Sequence, residues 1–135
     1  MNLFAWDPQY SVGIEEIDSQ HRHLFALFNE LYEALQQGRG PAVIHKVLAD
    51  VVEYTGYHFA HEEALFLHFD YPHTQAHLAE HETLTEQAKL LSERLQEGQK
   101  DVMLATLKFL SDWLTDHILG SDMRYASFLR EKGMR

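Results

Sequence analysis

Apolar residues recur along most of this chain at steps of three and four, which is the period of an amphipathic helix. Four such stripes can be followed, and polar residues occupy one end of each. They run through His21, Leu24, Phe28, Leu31 and Leu35; through Ile44, Leu48, Val51, Thr55, His58, Glu62 and Leu65; through His77, His81, Leu84, Ala88, Leu91 and Leu95; and through Met103, Leu107, Leu110, Leu114 and His117. Each stripe predicts a helix that buries one face in a bundle.

Glycine and proline interrupt the pattern at residues 38–41, 70–72 and 98–101. With these breaks we expect helices over about 19–37, 41–68, 74–97 and 101–119, and a short continuation over about 121–131. Asp18 or Ser19 is the expected N-cap of the first helix. Short connections make neighbouring helices antiparallel, so the prediction is a single all-α domain over 1–135, an up-down-up-down four-helix bundle. The irregular N-terminal arm, 1–17, is expected to pack across the bundle through Phe4, Trp6, Tyr10, Val12 and Ile14.

The polar ends of the four stripes are predicted to meet. In an up-down-up-down bundle the start of the first helix, the end of the second, the start of the third and the end of the fourth share one end of the core. That arrangement brings together His21, His58, Glu62, His77, His81 and His117. Because buried imidazoles and carboxylates without partners are costly, the grouping indicates a metal site.

Asp122 is a further candidate ligand that the helical period does not place. The next inward position after His117 is Ser121, and Asp122 lies five residues on, which is the spacing of a π-type turn. We therefore expect the backbone to widen near Gly120 and to turn the Asp122 carboxylate inward.

Composition narrows the class of protein. Twenty-one acidic residues against 11 basic ones give a formal charge of -10, which argues against nucleic acid or an anionic membrane as the main partner. The absence of cysteine excludes disulfides, iron–sulfur clusters and thiolate zinc sites. The sequence shows neither a signal peptide nor a long apolar run, so the expected location is the cytoplasm.

Five imidazoles and two carboxylates are too many donors for one four-coordinate zinc. They suit two first-row metal ions bridged by the carboxylates, with iron or manganese as the candidates. We expect the remaining histidines to stay outside the site (His23, His45, His61, His68 and His73). Glu63 is expected close to the ligands or at the surface, and Glu80 and Glu82 in solvent.

The order and spacing of these residues resemble the hemerythrin family, specifically its stand-alone bacterial members, the bacteriohemerythrins. The resemblance covers nearly the whole chain. Its motifs are Trp6…Ser11-Val12-Gly13-Ile14…Ile17-Asp18…Gln20-His21, His58-Phe59-Ala60-His61-Glu62-Glu63, His77-Leu78-Ala79-Glu80-His81 and Trp113-Leu114-Thr115-Asp116-His117…Asp122.

The resemblance implies a non-haem di-iron centre with an oxo or hydroxo bridge. It implies that His77, His81 and His117 saturate one iron and that His21 and His58 hold the other, which keeps an open position. Glu62 and Asp122 would bridge the two. O2 would bind reversibly at the open position as hydroperoxide, for oxygen storage, delivery or sensing.

The residues beside the ligands on these stripes are bulky and apolar, and they are the expected O2 pocket: Leu24, Phe66, Leu114 and Ile118. Tyr125, three residues after Asp122, is a further candidate to face the site. A di-iron oxidase or peroxidase and a redox- or iron-sensing module remain alternatives. Enzymes that activate O2 in bundles commonly use more carboxylates, in Glu-x-x-His motifs, so an imidazole-rich set favours binding over catalysis. A separate protein partner, such as an oxygen-using enzyme or a reductase, is compatible with this interpretation.

Overall fold

Helices make up most of the chain that the computed structural model describes, residues 6–98 and 101–134. After a 3-10 turn at Pro8–Tyr10 come α1 (Glu15–Gln36), α2 (Gly40–Phe69), α3 (Thr74–Gln96), α4 (Val102–Asp112) and α5 (Met123–Glu131). A stretch of π-helix, Trp113–Asp122, joins α4 to α5 and is called the π segment below. Both α1 and α3 pack against α2 and α4, and the described part of the chain contains no strand. The predicted all-α four-helix bundle is confirmed.

The predicted start of the first helix is wrong. Helix α1 begins at Glu15, and Asp18 lies within it rather than capping it. The Asp18 carboxylate accepts hydrogen bonds from the Val12 backbone N–H (2.8 Å) and from the Ser11 hydroxyl (2.5 Å). Gly13, at a φ of 80°, turns the chain between these donors and the helix. Asp18 therefore ties the N-terminal arm to α1.

The arm packs across the bundle at the end that carries α5. Val12 and Ile14 are fully buried in a cluster with Phe66, Tyr125 and Leu129. A second and larger apolar cluster fills the body of the bundle, and Trp6 and Tyr10 pack on its edge. Phe4 lies outside the described residues.

The fourth helical rod runs without interruption from Val102 to Glu131, whereas the sequence predicts two helices that meet near residue 120. Its buried positions recur every four residues, as the pairs Phe109/Leu110, Trp113/Leu114, His117/Ile118, Ser121/Asp122 and Tyr125/Ala126. A regular α-helix would rotate such a pattern away from the core by about 40° at each step. The wider turns of the π segment offset that drift. The predicted widening is present, but it spans Trp113–Asp122 rather than the surroundings of Gly120 alone.

The helices have lengths and surfaces suited to a bundle. In the described ranges, none of them is both long enough and apolar enough to cross a membrane.

Candidate metal centre

All seven candidate ligands lie at one end of the bundle core. His21 comes from the first half of α1, His58 and Glu62 from the second half of α2, His77 and His81 from the start of α3, and His117 and Asp122 from the π segment. None of the seven is more than 4% exposed. The convergence predicted from the helical stripes is therefore present, and the π segment adds Asp122 to it.

The ligand atoms form two adjoining groups, and within each group they lie within 4.8 Å of one another. One group consists of Glu62, His77, His81, His117 and Asp122. The other consists of His21, His58, Glu62 and Asp122. Glu62 and Asp122 belong to both, so the two groups share their carboxylates and differ in having three or two histidines.

Each shared carboxylate turns one oxygen toward each group. Asp122 Oδ1 lies 3.1 Å from Nε2 of both His77 and His117, and Asp122 Oδ2 lies 3.0 Å from Nε2 of His21. Glu62 Oε1 lies 3.0 Å from His81 Nε2, and Glu62 Oε2 lies 3.3 Å from His58 Nε2. Each carboxylate therefore offers one oxygen to each group of histidines.

These close approaches lack hydrogen-bond geometry. The Nε2 atoms of all five histidines, Glu62 Oε1 and both Asp122 oxygens are buried and have no hydrogen-bond partner among the described residues. Lone pairs that converge in this way are suited to a cation between them.

Electrostatics keep both carboxylates ionised. Burial raises the pKa of Glu62, but the neighbouring histidines, His58 foremost, outweigh burial and hold that pKa well below its usual range. The pKa of Asp122 is likewise depressed, because His117 and His21 outweigh burial and the charge of Glu62. Burial lowers the pKa of His77, but Asp122 and Glu62 raise that pKa by more than burial lowers it, to about 9. Without metal, protons bound to the histidines would thus supply part of the positive charge that balances the carboxylates.

The outward-facing Nδ1 atoms of His58, His81 and His117 contact side chains on the preceding helix. His58 Nδ1 pairs with Gln20 Oε1 at 2.5 Å, and Gln20 Nε2 pairs in turn with His61 at 2.9 Å. His81 Nδ1 pairs with Glu63 at 2.9 Å. Such partners fix ring orientation and raise the basicity of a metal-binding histidine. His21 Nδ1 has no partner among the residues described.

Glu80 was predicted to lie in solvent, and its side chain is 41% exposed, but it also contacts the site. Glu80 Oε1 lies 3.3 Å from His117 Nδ1 and accepts a hydrogen bond from the Ser121 hydroxyl at 2.5 Å. The stripe pattern assigns Glu80 to the outer face of α3, but the outer face at this level adjoins the wide π segment. A signal was present in the sequence, because Gln20, Glu63 and Glu80 each adjoin a candidate ligand along the chain.

Tyr125 faces the site, as predicted, and it has a defined partner there. Its hydroxyl donates a hydrogen bond to Glu62 Oε2, and the residue is fully buried. Burial raises the pKa of Tyr125, and the charges of Glu62 and Asp122 raise it further, so the hydroxyl stays protonated. Tyr125 therefore holds one oxygen of the Glu62 carboxylate in place.

The four predicted pocket residues are all fully buried, but they do not form one group. Leu24, Leu114 and Ile118 belong to the cluster in the body of the bundle. Phe66 belongs to the cluster of the N-terminal arm, and its ring lies 4.9 Å from that of His77, a member of the three-histidine group. The assignment of all four residues to one O2 pocket stays a prediction. None of the five histidines expected to stay outside the site belongs to either metal group.

The fold and site together define a class: four-helix proteins with a buried cluster of histidines and carboxylates that is suited to metal binding. The chain belongs to the hemerythrin family, since the model of the hemerythrin HHE cation binding domain matches residues 12–129.

Named relatives cover nearly the whole chain. It is 36% identical over 126 residues to a bacteriohemerythrin of Stenotrophomonas maltophilia, covering 93% of this chain and 81% of that protein. It is 35% identical over 130 residues to a bacteriohemerythrin of Pseudomonas aeruginosa, covering 96% and 84%. A hemerythrin-like protein of Naegleria gruberi is 33% identical, with 93% of each chain covered. Among solved structures, a hemerythrin L114A mutant superposes with a TM-score of 0.84 at 28% identity, covering 94% of this chain and 97% of the other.

Proposed function

We propose that this protein holds two iron ions in the buried centre and binds O2 reversibly at one of them, for oxygen storage, delivery or sensing. The observation that carries the proposal is the division of the ligands into groups of three and two histidines that share Glu62 and Asp122. The three-histidine group with two carboxylate oxygens and a solvent-derived bridge would complete six positions around its metal. The two-histidine group would leave one position open.

When bound, the two irons would supply the two electrons that hold O2 as hydroperoxide, with an oxo or hydroxo bridge exchanging the proton. The protein's own contribution is to fix the ligands and to keep water away. His21 and His58 would hold the metal with the open position, and Leu24, Leu114 and Ile118, which are fully buried in the body of the bundle, would be its apolar surroundings. Water-poor surroundings slow proton delivery to a bound anion, and so favour release of O2 over loss of peroxide.

The donor set favours binding over oxidative catalysis. Five neutral imidazoles give the metals fewer anionic donors than the carboxylate-rich di-iron enzymes that use Glu-x-x-His motifs. Either an oxygen-using enzyme or a reductase that returns the irons to the ferrous state would be a fitting protein partner.

A spectroscopic cycle tests the proposal. The iron-loaded protein is reduced without air, exposed to O2 and then flushed with argon while its visible spectrum is recorded. A charge-transfer band that appears and fully disappears supports reversible binding. Conversion in one turnover to a ferric form that no longer takes up O2 would favour an oxidase or a sensor. One zinc per chain with no iron would contradict all three functions, the O2 carrier, the oxidase and the sensor.

A matched pair of variants links that cycle to the site. His58→Gln is expected to lose the reversible band, because it removes one of the two histidines of the open group. His45→Gln alters an exposed histidine on the same helix and is expected to retain the band. Equal behaviour of the two variants would separate O2 binding from this centre.

A further inference from the structure

The hydroxyl of Tyr54 is a buried donor whose hydrogen bond is not made within the protein. Tyr54 is 6% exposed, its oxygen is shielded from solvent, and no side chain or backbone group in the described ranges bonds to it. Buried tyrosines usually satisfy their hydroxyl, and leaving one unsatisfied carries a desolvation penalty. An exception of this kind needs an explanation, and a ligand that completes the bond is one.

The position of Tyr54 connects it with the two-histidine group. Tyr54 lies one helical turn before His58 on α2, and the two rings stack 5.0 Å apart at an angle of 11°. The Trp113 ring, from the π segment, lies 6.1 Å away. Tyr54 and Trp113 belong to the same buried cluster as Leu24, Leu114 and Ile118. The Tyr54 ring thus lies against a histidine of the two-histidine group, in the cluster that also holds the apolar residues proposed for the open position.

The hydroxyl is also held in its donor form. Burial raises the pKa of Tyr54 well above its usual value, and the charges of Glu62 and Asp122 raise it further. At neutral pH the hydroxyl remains protonated and able to donate.

We propose that the Tyr54 hydroxyl donates a hydrogen bond to the anionic ligand that occupies the open position beside His21 and His58. Tyr54 would then select for ligands that carry negative charge, including the reduced form of O2, within a pocket that is otherwise apolar. The inference rests on the proposed function only in requiring a metal with an open position there. It gives Tyr54 a role distinct from that of Tyr125, whose hydroxyl is already bonded to Glu62.

Trp113 is the nearest alternative donor, because its indole N–H is also buried and without a partner among the described groups. Its ring meets a ligand of the other group, His117, edge-on at 6.4 Å. Tyr54 instead stacks directly on a histidine of the open group, which favours Tyr54 as the donor.

Azide, a small anion, is the probe for the test, added to the oxidised, iron-loaded protein. Hydrogen bonds to charged groups are strong enough that Tyr54→Phe is expected to raise the azide dissociation constant about tenfold or more. Tyr57→Phe makes the same chemical change three residues away on α2, at a side chain 63% exposed, and is expected to change it by less than about twofold. Equal affinity in Tyr54→Phe and the wild type overturns the proposal. So does a Trp113→Phe variant that alone weakens binding.

Thermal unfolding separates ligand binding from a structural role. Because the hydroxyl bonds to nothing within the described protein, Tyr54→Phe in the azide-free, iron-loaded state is expected to unfold at a temperature no lower than the wild type. A clear drop in that temperature would assign the hydroxyl to the fold and overturn the proposal.

A measurement on the wild type keeps the inference testable even if Tyr54→Phe loses iron. The infrared stretch of bound azide should shift between H2O and D2O, because the donated proton exchanges. Identical frequencies would overturn the proposal. Failure of the O2 cycle together with Tyr54-dependent azide binding would refute the proposed function while leaving the role of Tyr54 intact.

Discussion

Leu114→Ala tests whether the apolar side chains proposed to surround the open position protect the oxygenated state. Leu114 is fully buried in the π segment, three residues before His117, and contributes no atom to the ligand set. Truncating a buried leucine to alanine costs about 3–5 kcal/mol of unfolding free energy, from lost burial and from the cavity that remains. The variant should therefore keep its iron but unfold at a lower urea concentration. The opening should also admit water and shorten the lifetime of the oxygenated form.

Leu110→Ala is the matched control, because Leu110 is equally buried one helical turn earlier and farther from the ligands. The two variants should lose similar stability in urea titrations of the iron-loaded protein. Decay of the oxygenated spectrum at one temperature and pH should be faster in Leu114→Ala alone. Equal decay rates in the wild type and Leu114→Ala would refute the argument that this side chain excludes water. Equal acceleration in both variants would attribute the effect to general loosening of the bundle.

Three other predictions concern the ligands and their partners. The pKa of His77 in the folded, metal-free protein is about 9, above its ordinary value of 6.5. Protonated His77 therefore contributes about 3 kcal/mol to the free energy of unfolding. This contribution is complete below pH 6.5 and is lost as pH rises to 9. Urea titrations with a chelator should show this loss, and a flat profile would contradict it. Tyr125→Phe should weaken iron binding about tenfold or more in competition with a chelator, since it frees an oxygen of Glu62. Glu63→Gln should weaken iron binding by a similar factor, because Glu63 pairs with Nδ1 of His81. Glu82→Gln, at an exposed site on the same helix as His81, should leave iron binding unchanged.

The helical stripes predict most of the architecture because burial in a bundle imposes a period on the chain. His21, His58, Glu62, His77, His81 and His117 occupy inward positions of regular helices, so their convergence follows from antiparallel packing alone. Asp122 does not follow from that period. Its inward orientation depends on hydrogen bonds five residues apart through the π segment, and these are set by the packing of the whole rod rather than by any local residue.

The contacts that the sequence did not predict also have physical causes. Asp18 resembles an N-cap in sequence, but the arm returns to it and supplies its hydrogen-bond donors from Ser11 and Val12. Glu80 belongs to a helix face that would be exposed if its neighbour were a regular α-helix. The packing of Phe66 with the N-terminal arm could not be predicted, because the path of the arm has no helical period. Local patterns thus indicate the candidate ligands, whereas contacts between distant segments decide which side chains support them.

In the proposed centre, two metals of unequal coordination share Glu62 and Asp122. A crystal structure of the iron-loaded protein, with anomalous diffraction recorded at the iron absorption edge, would test this arrangement. We expect two anomalous peaks in the core, one bound by His77, His81 and His117 and the other by His21 and His58, with both carboxylates between them. A single peak, or a second iron away from His21 and His58, would contradict it.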